Sequence, residues 1–144
     1  MKMTFFGPLL TAIAGQVAYH LAQKSVPAAA NPFATLSFAY FVGMVACVVA
    51  APLAGNSLSM GDLRVAYSWQ TWLLGASVVA IEIGYLLAYR SGWPIGVAFA
   101  IAATATTVLL AVVGALWFGE ILGSRRILGL ALATAGVWLV VTRR

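Results

Sequence analysis

Apolar residues run through this chain in long blocks separated by short polar breaks. They do not alternate at the period of two that marks a half-buried strand, nor as the single apolar stripe of a surface helix. A helix that crosses the hydrocarbon core of a bilayer needs about 20 mostly apolar residues. Five segments meet that length or approach it: about 4–23, 32–52, 69–89, 95–118 and 127–141. Pro8 is tolerable in the first turn of the first segment, and Lys24-Ser25-Val26-Pro27 ends it. The second opens at Asn31-Pro32, a cap residue followed by proline at the first helical position. The longest polar stretch, 55–68, contains Asn56, Asp62 and Arg64 and reads as a connection in water or among headgroups. Arg90-Ser91-Gly92-Trp93-Pro94 is a tight break, because glycine and proline together stop a helix. Residues 119–126 make the last connection. The fifth segment is short, so it predicts local bilayer thinning or arginines that snorkel to the surface. Trp69, Trp93 and Trp117 fall near segment ends, where amphipathic rings settle at a membrane interface.

Composition supports the same architecture. Hydrophobic residues make up 63% of the chain and charged residues 8%, against about 25% charged in a soluble domain. The mean hydropathy is +1.01. The expectation is an all-α integral membrane bundle of five transmembrane helices forming one domain, multi-pass in the plasma (inner) membrane. The N-terminal stretch has some character of a secretory signal, with Lys2 before Phe5, Phe6 and Leu9 and a small-residue Ala12-Ile13-Ala14. Gly7-Pro8 interrupts it early and apolar character continues to Leu21, which favours a retained first span.

The eight basic and three acidic residues give a net charge of +5. The cations are spread between the apolar blocks rather than gathered on one face, which argues against nucleic-acid binding. Cys47 is the only cysteine, so no internal disulfide or cysteine metal cluster is available. No nucleophile-histidine-acid order, zinc spacing, phosphate loop or paired carboxylates is present, so neither an enzyme nor a metal or other cofactor is expected.

Cation placement bears on topology. With five spans, one side of the membrane receives Lys2, Arg64, Arg125 and Arg126, and the other Lys24, Arg90, Arg143 and Arg144. Orientation follows the excess of Lys and Arg on the cytoplasmic side. Here there is no excess, so copies are expected to insert both ways and pair as an antiparallel homodimer. The alternative is one orientation set by something weaker than loop charge.

Within the spans, helices associate through small residues that let backbones approach closely. Gly96, Ala100, Ala103, Thr107, Ala111 and Gly114 form such a stripe on the fourth span, and Gly129, Ala133 and Gly136 on the fifth. A shorter one on the second carries Ala39, Gly43 and Ala46. Against this background Glu82 stands out, near the middle of the third span. An ionised carboxylate at that depth costs about 2.5 kcal/mol or more, and ionisable residues in such places are functional by default. Exchange of a proton for a cationic solute is the chemistry the position suits; holding a neighbouring helix in register is the plainer role. Tyr85 and Tyr89 share its helix face, and their rings suit an organic cation or aromatic solute. On the first span Gln16, His20 and Gln23 share a face beside Tyr19. Gln16 is a candidate site-lining residue, and His20 either relays protons with Glu82 or simply hydrogen-bonds within the bundle.

The stretch from Gly84 to Arg143 resembles the drug/metabolite transporter superfamily. The residues that carry the likeness are Gly84-Tyr85-Leu86-Leu87, then Pro94-Ile95-Gly96-Val97-Ala98-Phe99-Ala100-Ile101, then Leu116-Trp117-Phe118-Gly119-Glu120, and finally Gly129 and Ala135-Gly136-Val137. The proline-led stretch is similar to the small multidrug resistance branch, and the Gly-Tyr-Leu-Leu and Phe-Gly-Glu elements to EamA-type repeats. The first eighty residues match by hydropathy alone. The resemblance implies a single five-span repeat whose function needs a second, inverted copy, with Phe99 at a conserved aromatic site position. The chain departs from the drug-exporting branch in having Gln16 where the resemblance calls for a first-span acid, and Ala102 where it calls for tryptophan. Proton coupling would then fall to Glu82, with His20 as its relay. The expected function is secondary transport of small amphipathic metabolites or organic cations by alternating access, with Gln16, Glu82, Tyr85, Tyr89 and Phe99 lining the site. The expected partners are a second copy, membrane lipid and the solute. The alternatives are a non-transporting membrane subunit bound to a larger partner, and a lipid-carrier flippase.

Overall fold

Each break in the apolar pattern corresponds to a chain segment that ends or starts a helix. The computed structural model describes residues 3–56 and 58–142, with side chains from residue 6 onward, and all regular structure among them is helical. The elements are α1 (Met3–Ser25), α2 (Pro32–Leu53), α3 (Met60–Ala66), α4 (Trp69–Arg90), α5 (Ile95–Trp117) and α6 (Ser124–Val141). Contacts divide the chain into two units, residues 1–90 and 91–144.

In the first unit, α4 packs against both α1 and α2. The α2 start follows the sequence: the Asn31 Oδ1 accepts from the Phe33 and Ala34 amides at 2.9 and 3.3 Å, and Pro32 occupies a position whose amide would be unsatisfied. Leu36 of α2 and Leu86 and Tyr89 of α4 are the buried hydrophobic residues. At the α4 C-terminus, Arg90 reaches across to the α1–α2 connection. Its Nη2 donates to the Ala30 carbonyl at 2.6 Å and to the Pro27 carbonyl at 3.3 Å. A loop that would expose carbonyls near the apolar phase is thereby tied to a helix end.

The connection 55–68 is not wholly irregular, as its polar composition predicts, but contains α3. The local cause is a capping box. Ser59 Oγ accepts from the Asp62 amide at 3.2 Å, and the Asp62 carboxylate accepts from the Ser59 amide at 2.9 Å and from its hydroxyl at 2.6 Å. Two unsatisfied helix-start donors are met reciprocally, which is enough to start one short helix.

In the second unit, α5 packs against α6. Gly92, at φ 94°, sits in the break before α5, a backbone conformation that only glycine adopts readily. At the other end of α5 the amides of Phe118 and Glu120 both donate to the Gly114 carbonyl, at 3.1 and 3.0 Å. Gly119, at φ 65°, turns the chain so that the Glu120 carboxyl lies against Gly114. A Cβ at residue 114 would meet the Glu120 Cδ at 3.1 Å. α6 begins at Ser124, three residues before the predicted span, because the Gly123 carbonyl accepts from the Arg126 and Ile127 amides at 2.9 and 3.2 Å. Arg125 and Arg126 are therefore helical. At 18 residues, about 27 Å, α6 spans with less adjustment than the predicted 127–141.

Among the described residues, four helices are long and apolar enough to cross a membrane: α2, α4, α5 and α6. The chain is accordingly a multi-pass membrane protein of helical class. Large apolar side chains on them face outward, among them Phe38 at 69% exposure, Leu109 at 65% and Leu132 at 64%. Such faces are untenable in water and ordinary in lipid, where no apolar patch needs covering. Hydroxyls on these helices bond within their own helix: Ser77 to Leu73 O at 2.7 Å, Thr107 to Ala103 O at 2.7 Å, Thr134 to Leu130 O at 2.9 Å. That is how a polar side chain is satisfied without water. α1 has 23 residues, and the side chains of its first three lie outside the described residues, so its crossing remains an expectation beside the other four. Of the cations in the topology count, Lys2, Arg143 and Arg144 lie outside the described residues.

The α3 cap makes a pH-dependent expectation. Hydrogen bonds from the Ser59 hydroxyl, first, and then its amide hold the exposed Asp62 carboxyl below the ordinary carboxylate range. A group whose folded pKa is depressed contributes stability above its unfolded value, near 3.9, and loses it as pH falls through the folded value. Hydrogen-exchange protection across 59–63, corrected for intrinsic rate, is expected to be constant at neutral pH and to decline below about pH 4. Ser59→Ala is expected to lower it about fivefold at neutral pH and to weaken the dependence without abolishing it, since the residue-59 amide still donates to the carboxylate.

Candidate functional site

The polar residues of α1 and the C-terminal half of α4 meet in the first unit. His20 and Gln23 are each 6% exposed, so they are the buried polar pair on α1. His20 and Gln23 fall three residues apart, on one helix face, which turns both toward α4. The Tyr89 hydroxyl and His20 Nδ1 are 2.9 Å apart, a buried hydrogen bond whose direction depends on the imidazole tautomer. Tyr85 contacts the same imidazole edge-on, with ring centroids at 4.7 Å, and Tyr19 does so at 4.9 Å. Tyr85 and Tyr89 stack at 5.9 Å, one helical turn apart. His20 is thus enclosed by three phenol rings.

Gln23 joins the two helices through its amide. Nε2 donates to the Tyr19 hydroxyl at 2.8 Å and to the Glu82 backbone carbonyl at 2.9 Å. Its Oε1 is buried without a hydrogen-bond partner. Lys24 Nζ donates to the Tyr89 carbonyl at 3.0 Å and lies 5.6 Å from the centroid of that ring. The ammonium therefore occupies the C-terminal turn of α4, where free carbonyls carry partial negative charge.

The half-buried Glu82 is one turn before this cluster on α4. Its carboxylate makes no hydrogen bond or ion pair among the described residues. The Tyr40 hydroxyl on α2 is buried and has no hydrogen-bond partner.

Of the expected site residues, Tyr85, Tyr89 and His20 come together, with Glu82 beside them. Gln16 is exposed, one turn back on α1, and stands outside the cluster. Phe99 belongs to the second unit, half-buried on α5. The small-residue stripes are only partly covered. Ala100 and Ala103 are half-buried and Gly114 is buried, but Gly96, Thr107, Gly129, Ala133 and Gly136 are exposed. A Cβ added at Gly96, Gly129 or Gly136 would meet nothing within 4 Å. These positions are therefore not where α5 and α6 pack.

Sequence reasoning undervalued Gln23, Lys24 and Arg90, whose contacts all run between elements. Gln23 was visible as part of the α1 polar ridge. Nothing in the sequence pairs Lys24 with the Tyr89 carbonyl, because the two are distant in the chain.

Comparison with known proteins finds no matching family model, no similar curated protein and no similar solved structure.

The buried hydrogen bond is open to direct measurement. Tyr89→Phe leaves the imidazole Nδ1 without its partner in an apolar cage, at an expected cost of about 1–3 kcal/mol in reversible unfolding. Replacing both members, His20→Leu with Tyr89→Phe, is expected to be less destabilising than the sum of the single changes, by about 1 kcal/mol in a double-mutant cycle.

Proposed function

We propose that this chain is a transporter for small amphipathic metabolites or organic cations, acting as an antiparallel homodimer in which α1 is a fifth span. The observation that carries the reading is the uncommitted Glu82 carboxylate beside the phenol-lined His20 cluster, on a helix apolar enough to cross a membrane. A polar and aromatic cluster on such helices is expensive to maintain, and intramembrane ionisable groups mark solute or ion paths. The sequence resemblance to drug/metabolite transporters supports the same class. It supplies the inverted pairing, since repeat-built transporters bind solute between inverted halves near the bilayer midplane.

In this reading Glu82 exchanges a proton for the solute. Tyr85 and Tyr89 offer ring faces, and His20 sets the position of Tyr89 through its hydrogen bond. Gln16 and Phe99 are lining residues contributed when two copies close on each other. The near-equal distribution of cations supports insertion in both orientations.

Flux measurement tests the coupling. In proteoliposomes with an imposed pH gradient, the protein is expected to concentrate ethidium against its gradient, and Glu82→Gln to reduce the gradient-driven component at least tenfold. Flux of the variant with the parent rate and pH profile would remove Glu82 from the mechanism. A cysteine-reactive tag at the C-terminus tests topology separately. It is expected to be labelled from both faces of the membrane, and labelling from one face alone would defeat the antiparallel arrangement.

A second reading has an observation of its own. Within the second unit, the stripe Gly129, Ala133 and Gly136 is exposed and offers a close-packing face that α5 does not cover. A larger unlike partner would suit it as well as a second copy. The mass of the detergent-solubilised complex separates a self-dimer from a non-transporting subunit of a larger assembly.

A further inference from the structure

In the second unit, α5, the connection that follows it and the first turns of α6 border a cleft of about 450 Å³. That volume is within the range of about 300–1,000 Å³ typical of small-molecule sites. The two ends of the cleft differ in character. At its mouth stand Glu120 and Arg126, both exposed, with the guanidinium Nη1 donating to the carboxylate Oε2 at 3.4 Å. Below them the walls are Leu110, Ala111, Gly129 and Leu130. Thr107 lies deepest along α5, and its hydroxyl donates to the Ala103 carbonyl of its own helix. An added Cβ at Gly129 would meet nothing within 4 Å, so the apolar part is open to an occupant.

Depth and charge together decide the occupant. Thr107 is ten residues before Trp117, the last residue of α5, so the cleft reaches about 15 Å along the helix from that end. Both α5 and α6 are long and apolar enough to cross a membrane, which puts the mouth at headgroup level and the floor in hydrocarbon. Trp117, 77% exposed at the same end, stands where amphipathic rings settle at the interface. The mouth carries both signs of charge, and the carboxylate is its unusual half. Basic residues at this level are ordinary, since they snorkel to lipid phosphates. Glu120 instead folds against Gly114, in the last turn of α5, where helix carbonyls already carry partial negative charge. An acid in that place is stabilised only by a cation. Arg126 meets it at 3.4 Å, beyond the range of about 2.7–2.9 Å for a charge-assisted bond, and an exposed pair of this kind contributes little. The pair therefore parts readily for a ligand that carries both charges, with its anion toward Arg126 and its cation toward Glu120.

We infer that this cleft is a binding site for phosphatidylethanolamine. The lipid phosphate accepts from the Arg126 guanidinium, whose planar fork suits it. The primary ammonium donates to Glu120, and the start of an acyl chain lies over Gly129 between Leu110 and Leu130. Choline has no N–H donor, so phosphatidylcholine meets the guanidinium and leaves the carboxylate without a hydrogen bond. An anionic headgroup such as phosphatidylglycerol sets its charge against Glu120. Free phosphoethanolamine carries both charges but leaves the apolar floor unfilled. The site uses the second unit alone and does not depend on Glu82 or on transport, so failure here leaves the flux experiment unaffected.

Native mass spectrometry of the detergent-solubilised full chain tests this. Phosphatidylethanolamine, phosphatidylcholine and phosphatidylglycerol with identical acyl chains are titrated in turn, and dissociation constants are read from the adduct populations. The expected result is a saturable phosphatidylethanolamine adduct, bound about fivefold more tightly than either of the others. Glu120→Gln is expected to erase the preference over phosphatidylcholine, and Arg126→Gln to weaken all three lipids several-fold. Gly129→Leu, which fills the floor and keeps the charged pair, is expected to weaken phosphatidylethanolamine about tenfold. Gly84→Leu and Asp62→Asn make the same change of bulk and of charge elsewhere and are expected to leave binding unchanged, which separates loss of the site from loss of fold. Equal binding of the three lipids, unaltered by Glu120→Gln, would overturn the proposal, and so would a preference for phosphatidylglycerol. Displacement of the lipid by an equimolar amount of free phosphoethanolamine would overturn it too, since the site would then recognise a soluble solute.

Discussion

Hydrocarbon supplies no hydrogen bonds, and that constraint organises this molecule. Backbone groups in a bilayer must be satisfied within the protein, so the apolar blocks can only be helices. The same requirement explains the hydroxyls of Ser77, Thr107 and Thr134, which bond to their own helices. It explains Arg90, whose guanidinium collects the carbonyls of the α1–α2 connection. It also makes the exceptions informative. Glu82, the Tyr40 hydroxyl and Gln23 Oε1 are groups whose hydrogen-bonding capacity the chain leaves partly or wholly unused.

Polar contacts between helices do different work at the two ends of α4. Near its C-terminus, His20, Gln23 and Lys24 of α1 bond the Tyr89 hydroxyl and α4 backbone carbonyls, giving the pair a defined register. A helix pair in lipid gains no hydrophobic drive, so packing and such bonds must hold it. Toward the N-terminus of α4, Trp72 and Gly75 border open apolar space instead of contacts. One helix thus carries a tight joint, a carboxylate and an open apolar face along its length.

The expected site was partly legible. Helical spacing alone groups Glu82, Tyr85 and Tyr89, and separately His20 and Gln23, because residues three and four apart share a face. Their meeting across helices was not legible, since spacing says nothing about which faces touch. Gln16 shows the limit: it shares the nominal face with His20 but stays exposed. The small-residue stripes show it again, since Gly129 and Gly136 read as packing positions and stand open. A small residue permits close approach but cannot compel a neighbour to make it. The short α3 was hidden for the opposite reason, being set by one local cap inside a stretch whose composition reads as loop.

Sequence by itself determined the helical class, the apolar lengths of α2, α4, α5 and α6 and the breaks between them, because the medium acts on each segment independently and polarity suffices to reveal it. Tertiary structure alone decided that His20 is caged by Tyr19, Tyr85 and Tyr89, that Gln23 and Lys24 reach the α4 backbone, and that the Tyr40 hydroxyl is buried without a partner. Those outcomes depend on the rotation and offset of one helix against another. Both are set by the joint fit of side chains distant in the chain, a quantity that no single segment encodes.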